Sequence, residues 1–353
     1  MGHNSGNGHD TVHHASSVEA ALQTARELES QGRAFDAVEV LMEANRRHRD
    51  PELERVLVVT RHVALDGLEP GPGLDAWPRE LPDPFPEVTG PPEVELADLT
   101  GDVLGGAIVH HGCIIVRGLA DRHESESLTR SIDRAFEACD ARNSGTPLEK
   151  TAPWFVPFNP RPEYSLTIGE RWWVRNGGGV WTADSPRVLF DVLDLLERKG
   201  LRKTLGDYLG ERPGLSVKKC TLRRVPVDSG TDWHQDGAFL GPDIRTVNVW
   251  LTLTDCGEDA PGLDIVPRRL DLIETGTDGA QFDWSVGPGL VDRVATDAGV
   301  VRPLFNAGDA LLFDERFLHR TGVSPGMTIE RHAIETWFFA PSRYPRPQIP
   351  IAF

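Results

Sequence analysis

The spacing of apolar positions changes twice along this chain. Between residues 16 and 65 they recur every three or four residues: Ala20, Leu22, Ala25 and Leu28, then Phe35, Ala37, Val38, Leu41 and Ala44. That is the period of a helix with one buried face. Gly32 separates the two runs, which predicts a helical hairpin over 16–66. Residues 70–92 then hold eight prolines (Pro70, Pro72, Pro78, Pro82, Pro84, Pro86, Pro91 and Pro92). Such a stretch is extended and semi-rigid, so 67–93 reads as a linker and a domain boundary. GCIIVRGL, 112–119, is a short apolar, β-branched run and predicts a buried strand. Leu128, Ile132, Ala135, Phe136 and Cys139 give one apolar face to a helix over 124–139. Ser185-Pro186 supplies a cap and a first-turn proline to another helix, and Gly210 closes a further segment over 201–209.

From 215 onward the period falls to two. SVKKCTLRRVPV, VNVWLTLTDC, GDALLFDERFLH and RHAIETWFFA alternate as strands do, with turn residues between them. Helices first and strands after predict a mainly β domain with helical cover over 94–353. Residues 145–184 are rich in Pro, Gly and Trp and are expected to be irregular. Residues 275–299 are polar and lie between two strands; a loop of that length is often a lid or a binding loop. Leu28, Gly32, Phe35 and Ala44 loosely resemble a tetratricopeptide repeat. One such unit cannot stand alone as a solenoid, so it is expected to serve docking or dimerisation.

Composition narrows the function classes. Acidic residues number 54 against 37 basic ones, a formal charge of −17. Nucleic acids and anionic membranes are polyanions, so both are disfavoured as partners. Hydrophobic residues make up 39% of the 353, enough for a sizeable core. The four cysteines, Cys113, Cys139, Cys220 and Cys256, form no close pair and suit free thiols in a reducing cytoplasm. The opening MGHNSGNGHDTVHH has no apolar centre, so it reads as a disordered polar tail over 1–15 and not as a secretory signal. No apolar run has the length of a membrane span.

The candidate chemistry lies in WHQDGAFLG, 233–241. On a strand, residues two apart point to one face, so His234 and Asp236 can reach a single ion. His48-Arg49-Asp50 has the same spacing, so the pair needs support from elsewhere. The best third ligand is His319, which ends a strand-like run after a Gly-Asp turn. Two histidines and one carboxylate on one face of an octahedron form the facial triad of non-haem Fe(II) oxygenases. Arg331, at the start of RHAIETWFFA, can anchor an acidic co-substrate, because a guanidinium holds a carboxylate by two hydrogen bonds and keeps its charge when buried. Thr321 falls on the face of His319 and can donate to the same carboxylate.

His-x-Asp, a VWLTLTD strand, a Val-Pro turn, a Gly-Asp turn, His-x-Thr and then Arg occur here in an order that resembles the phytanoyl-CoA dioxygenase family. The opening GCIIVRGL strand and its helix are similar too, and the resemblance spans about 94–345. One departure is VPRRL, 266–270, where many members have Pro-Gly-Ser-His. The resemblance implies a double-stranded β-helix, or jelly roll, of the cupin type. It implies Fe(II) on His234, Asp236 and His319, and 2-oxoglutarate held by Arg331 and Thr321, with Thr221 and Asn248 as further contacts. Dioxygen would be the oxidant, succinate and CO2 the co-products, and a hydroxylated small molecule or carrier-bound metabolite the product. Asp236 argues against halogenating relatives, which have a small residue there.

Trp172, Trp173, Arg175 and Asn176, beside three glycines, are candidate substrate contacts. Two other readings compete. One is a cupin-like metalloenzyme that does not use 2-oxoglutarate, which would leave Arg331 no reason to be buried. The other is a non-catalytic binding protein working through its helical hairpin, which would leave the triad no reason to be intact. The hairpin also offers a surface for a homodimer or another protein contact.

Overall fold

The computed structural model describes residues 7–65, 77–241, 244–295 and 299–353. Residues 1–6 of the expected tail, and 66–76 of the expected linker with Pro70 and Pro72, lie outside them. Three helices rather than a hairpin come first: α1 (Asn7–Ser30), α2 (Ala34–His48) and α3 (Pro51–Leu65). The first helix begins within the segment expected as tail. Gly32 makes the predicted break, at φ +74°. The second break lies in His48-Arg49-Asp50-Pro51. Arg49 turns to φ 42°. Asp50 Oδ1 accepts from the Glu52 and Leu53 amides at 2.8 and 3.2 Å, and Pro51 starts the helix. The second H-x-D pair of the chain therefore caps a helix.

The sheet region starts with β1 (Glu93–Glu95), α4 (Gly101–His111), β2 (Cys113–Arg117) and α5 (Arg122–Asn143). The stretch expected to be irregular contains α6 (Leu148–Thr151), α7 (Ile168–Asn176) and β3 (Gly179–Trp181). A capping box opens α7: the Glu170 amide donates to Thr167 Oγ1 at 3.1 Å, and the Thr167 amide to Glu170 Oε2 at 2.7 Å. T-x-x-E was a readable start signal. Next come α8 (Pro186–Arg198), α9 (Leu201–Leu209), β4 (Gly214–Ser216), β5 (Thr221–Val225), α10 (Gly237–Leu240) and β6 (Thr246–Thr252). The chain then runs through β7 (Gly262–Arg269), α11 (Pro288–Val294), β8 (Ala310–Phe313), β9 (Phe317–Gly322), β10 (Arg331–Phe339) and β11 (Pro350–Ala352).

Two sheets face each other. The larger runs β1-β2-β8-β6-β10-β4-β11, with β5 on the first half of β10 and β3 on β5. The smaller pairs β7 with β9, and isolated bridges add His234 beside His319 and Val301 beside Ile265. Alternation divides the core. Val247, Val249 and Leu251 of β6 join Ile334 and Phe338 of β10 under the helices. Trp250 on β6 and Ala333, Trp337 and Phe339 on β10 face inward, against Leu263, Ile265 and Phe317 of the smaller sheet. This is a mainly β jelly roll, a double-stranded β-helix, with helical cover.

The N-terminal helices dock onto it. Arg61 Nη1 donates to the Ala352 carbonyl at 2.8 Å, and His62 Nδ1 lies 2.6 Å from the Pro350 carbonyl, so α3 grips β11. Against α8, the fully buried Glu54 meets Arg187 at 3.0 Å and Arg49 at 3.5 Å. Arg49 also pairs with Asp191, and Arg46 with Asp194 at 2.7 Å.

Candidate metal centre

The backbone itself brings the two histidines together. The His234 amide donates to the His319 carbonyl at 3.0 Å, and His319 returns the bond at 3.1 Å. In an antiparallel pair, partners bonded this way carry their side chains to the same face. The two rings stand 4.5 Å apart between centroids. Asp236 completes the group: one ligand atom from each of the three residues lies within 4.8 Å of the others. Asp236 and His319 are buried and His234 is partly exposed.

The rest of the motif holds this geometry in place. The side-chain amide of buried Gln235 donates to the Leu272 and Arg316 carbonyls at 3.0 and 2.6 Å and accepts from the Glu274 amide at 2.7 Å. A Cβ at Gly237 would stand 2.2 Å from Ile273 Cδ1 and 3.0 Å from the Glu315 carbonyl, so the chain can pass there only as glycine.

The protonation states suit a cation. His234 Nδ1 is 2.8 Å from the Asp232 carbonyl and His319 Nδ1 3.1 Å from that of Phe317. Each Nδ1–H therefore donates to the backbone, and each Nε2 is left with a lone pair for an ion. Burial, then the neighbouring His319, pulls the His234 pKa down to about 4; burial lowers His319 as well. Both rings are neutral at pH 7. Burial works against ionised Asp236, but Lys219 and the two histidines outweigh it and hold the carboxyl well below its ordinary range. Lys219 Nζ is 2.9 Å from Asp236 Oδ1, while Oδ2 faces His319 Nε2 at 3.7 Å. The donor set and its spacing fit a divalent transition metal.

Arg331 lies deeper in the barrel. It is 1% exposed, and burial lowers its pKa to about 10, which leaves it cationic at neutral pH. Its Nη1 donates to the Pro261 and Gly262 carbonyls at 3.1 and 2.7 Å, and its guanidinium lies 5.2 Å from the Trp250 ring centroid. Among the described residues it meets no carboxylate within ion-pair distance, and its Nε has no partner. Gly262 and Leu263 lie opposite Gly322 and Thr321, and Ile265 opposite His319. The register therefore sets Thr321, buried, between the triad and Arg331. Asn248 Oδ1 and Trp250 Nε1, on the inward face of β6, are likewise buried without a partner. Thr221 lies across from Glu335, whose carboxylate is 3.1 Å from Arg223. This group of unsatisfied polar atoms, with two arginines against one glutamate, fits an acidic ligand.

The structure does not bring the other candidates into this site. Arg175 is held by Asp140 at 2.8 and 2.7 Å and covers the Phe136 ring. Trp172, Trp173 and Asn176 are exposed on α7, without a described contact to the triad. Two aromatics that motif reading passed over stand next to His234 instead, and a third stacks on one of them. Trp284 meets its ring edge to face at 5.6 Å, Phe239 lies 6.1 Å away, and Phe282 stacks on Trp284 at 5.1 Å. Two come from the loop whose length had marked it as a binding loop; Phe239 is in WHQDGAFLG itself. Lys219 belongs to a basic set, Lys218, Lys219, Arg223 and Arg224, that strand alternation reads mainly as a solvated face, and it pairs with Asp236 instead.

Comparison with known proteins gives the segment a family. Residues 217–327 match the phytanoyl-CoA dioxygenase (PhyH) family, a span that holds Thr221, His234, Asp236, Asn248, His319 and Thr321. This part of the chain is phytanoyl-CoA dioxygenase-like. Arg331 lies just past the PhyH-matching segment. No curated protein matches the chain. Among solved structures, EctD from S. alaskensis with 2-oxoglutarate and 5-hydroxyectoine is similar at 14% identity and a TM-score of 0.46, over 77% of this chain and 87% of that one. EctD with bound Fe gives 15% and 0.46, over 67% and 75%. AviO1 from Streptomyces viridochromogenes Tue57 gives 18% and 0.43, over 70% and 98%.

Proposed function

We propose that this protein is an Fe(II)- and 2-oxoglutarate-dependent dioxygenase that hydroxylates a small-molecule or carrier-bound metabolite, with succinate and CO2 as co-products. The observation that carries the reading is the pairing of a His-Asp-His triad with a buried arginine that has no carboxylate of its own. His234, Asp236 and His319 hold the metal through the two Nε2 atoms and one carboxylate oxygen. Bound Fe(II) supplies activation of dioxygen at the expense of 2-oxoglutarate. The residues of the chain do the positioning. Arg331 and Thr321 bind the far carboxylate of the co-substrate, with Thr221 and Asn248 along its length. The apolar barrel excludes water around them, which strengthens each charge-assisted bond. Lys219 keeps Asp236 ionised and turns one of its oxygens toward the metal position.

Residues 94–353 form the catalytic domain in this reading, and the helical unit over 16–66 is a docking or dimerisation surface. Four buried free cysteines suit the cytoplasm. Among the described residues no helix is long and apolar enough to cross a membrane, and the substrate is a small molecule rather than a nucleic acid. The test is anaerobic addition of Fe(II) and then 2-oxoglutarate to metal-free protein. A visible metal-to-ligand charge-transfer band is expected. Tight Fe(II) binding with no band would favour a cupin-like enzyme that does not use 2-oxoglutarate. No metal binding would overturn the proposal.

A further inference from the structure

We propose that Phe239, Trp284 and Phe282 are the substrate shelf of this site, and that the substrate lays a flat, apolar ring-bearing portion on it. The inference rests on the oxygenase reading and adds a substrate class.

The three rings form a ladder that starts at the metal ligand. Trp284 stands edge to face on His234, with centroids 5.6 Å apart and planes at 89°. Phe239 lies 5.2 Å from Trp284, and Phe282 stacks on Trp284 at 5.1 Å and 4°. The ladder ends in solvent: Phe239 is 39% exposed and Phe282 53%. Large aromatics left in water beside a buried polar centre mark a binding surface, because their faces gain by covering an apolar ligand.

Packing of the loop does not account for them. That loop has its own anchor, where Val286, Leu290 and Val291 bury against Trp233, Val266 and Leu318. Neither Phe282 nor Trp284 belongs to that cluster. The shelf is also fixed in place. The Val286 amide donates to the Trp233 carbonyl at 2.9 Å, the Gly287 amide to Thr277 Oγ1 at 2.7 Å, and Ser285 Oγ bonds both the amide and the carbonyl of Phe282 at 3.1 Å. A Cβ on Gly287 would come within 1.9 Å of the Asp278 carbonyl, so only glycine closes this turn. One face of Phe239 is taken by Lys219, whose Nζ is 4.2 Å from the ring centroid. Phe282 stacks on Trp284 and is 53% exposed, so its outer face is the one offered to a ligand.

The probe is 2-naphthol, neutral and aromatic, with methyl glucoside as a polar ring of similar size. Binding to the Fe(II)- and 2-oxoglutarate-loaded protein is followed by naphthol fluorescence and saturation-transfer NMR, and the charge-transfer band is recorded for each sample. Naphthol is expected to bind, with methyl glucoside much weaker. Phe282→Ala should weaken naphthol about tenfold, the loss of one well-placed aromatic pair with its buried area. Phe282→Tyr should restore it, and Trp284→Ala should weaken it further, with the band retained throughout. Naphthol affinity unchanged in both alanine variants, or preference for methyl glucoside, would overturn the shelf. A missing band in the native protein with shelf-dependent naphthol binding would overturn the oxygenase reading and leave the shelf standing. Phe282 is at the surface, so its variants remain informative even if Trp284→Ala does not fold.

Discussion

Charged groups are buried in two regions of this protein, and they are treated differently. Under the N-terminal helices, Glu54 is fully buried and meets both Arg187 and Arg49, while Asp191 and Asp194 each find an arginine. Inside the barrel, Arg331 is as deeply buried and, among the described residues, is hydrogen-bonded to backbone carbonyls without an ion pair, with Asn248 Oδ1 and Trp250 Nε1 unpartnered nearby. Leaving a buried polar atom unpaired costs about 1–3 kcal/mol. Asn45 Nδ2 and Thr60 Oγ1 under the helices are unpaired too, so the barrel is set apart by its guanidinium without an ion pair and not by the number of unpaired atoms. The seam is a fastening, and in the proposed function the barrel interior is a receptor. Arg61 is the nearest parallel to Arg331: burial and then Arg202 lower its pKa to about 10, Glu197 and Glu39 offset part of this, Nη1 donates to the Ala352 carbonyl and Nη2 is unpaired.

The contrast can be tested from both sides. Asp236→Ala and His319→Ala should lower Co(II) affinity by more than about a hundredfold, beyond the roughly 10–100-fold typical of groups that only orient a ligand. Equilibrium dialysis reads this; unfolding midpoints should move less than for Glu54→Ala, with Asp236→Ala also giving up its pair with Lys219. Glu54→Ala should do the reverse. Breaking the seam should cost about 2–4 kcal/mol in urea unfolding, in the lower part of the range for a buried pair because Arg187 keeps some contact with water. Metal binding should be unchanged. Equal losses of metal affinity in the two sets would erase the distinction between fastening and receptor.

Acidity gives a smaller effect. His234, His319 and His62 are all held neutral by burial, with His234 near pKa 4. Below about pH 6.5 the unfolded chain takes up protons that the folded chain refuses, so stability falls as the pH drops toward 4 and rises with pH across that window. At pH 5 the metal-free protein should lose up to about 2 kcal/mol from His234 alone relative to pH 7. A melting temperature that is flat or higher at pH 5 would contradict this. The smallest change is Trp250→Phe, which removes one unpaired indole N–H. It should alter stability by no more than about 1 kcal/mol and weaken 2-oxoglutarate binding only a few-fold, by calorimetry.

Much of this was legible in the sequence, for identifiable reasons. His234, Asp236, His319, Thr321 and Arg331 could be picked out from the order of their motifs, and a strand's period of two puts Thr321 on the face of His319. Asp236 is not on a strand as expected but has a helical backbone at the start of α10. The structure brings the first three within ligand distance of one another and sets Thr321 and Arg331 on the same interior. The mainly β domain followed from alternating runs such as VNVWLTLTDC, and the jelly roll from the family resemblance. The break before α3 was missed because Arg49, with a left-handed backbone, is not the glycine such a turn usually carries. Lys219 and Trp284 could not be placed, since they act through contacts with residues 17 and 50 positions away in sequence, and Phe282 touches the site only through Trp284. Arg175 looked available beside three glycines and is held by Asp140, a pairing that no local pattern announces.

No described residue gives Arg331 a carboxylate within ion-pair distance, and in the proposed function 2-oxoglutarate supplies it. The most direct measurement is 2-oxoglutarate binding to the anaerobic Fe(II) form of the native protein and of Arg331→Met, read by the charge-transfer band, with urea unfolding of both metal-free proteins alongside. The variant should lose affinity by roughly 2–5 kcal/mol, the cost of removing one partner from a buried charge pair, while its stability holds or rises because an unpaired buried cation has been replaced by an apolar side chain. Unchanged 2-oxoglutarate affinity, with a large loss of stability, would mean that Arg331 is a structural group like those of the seam.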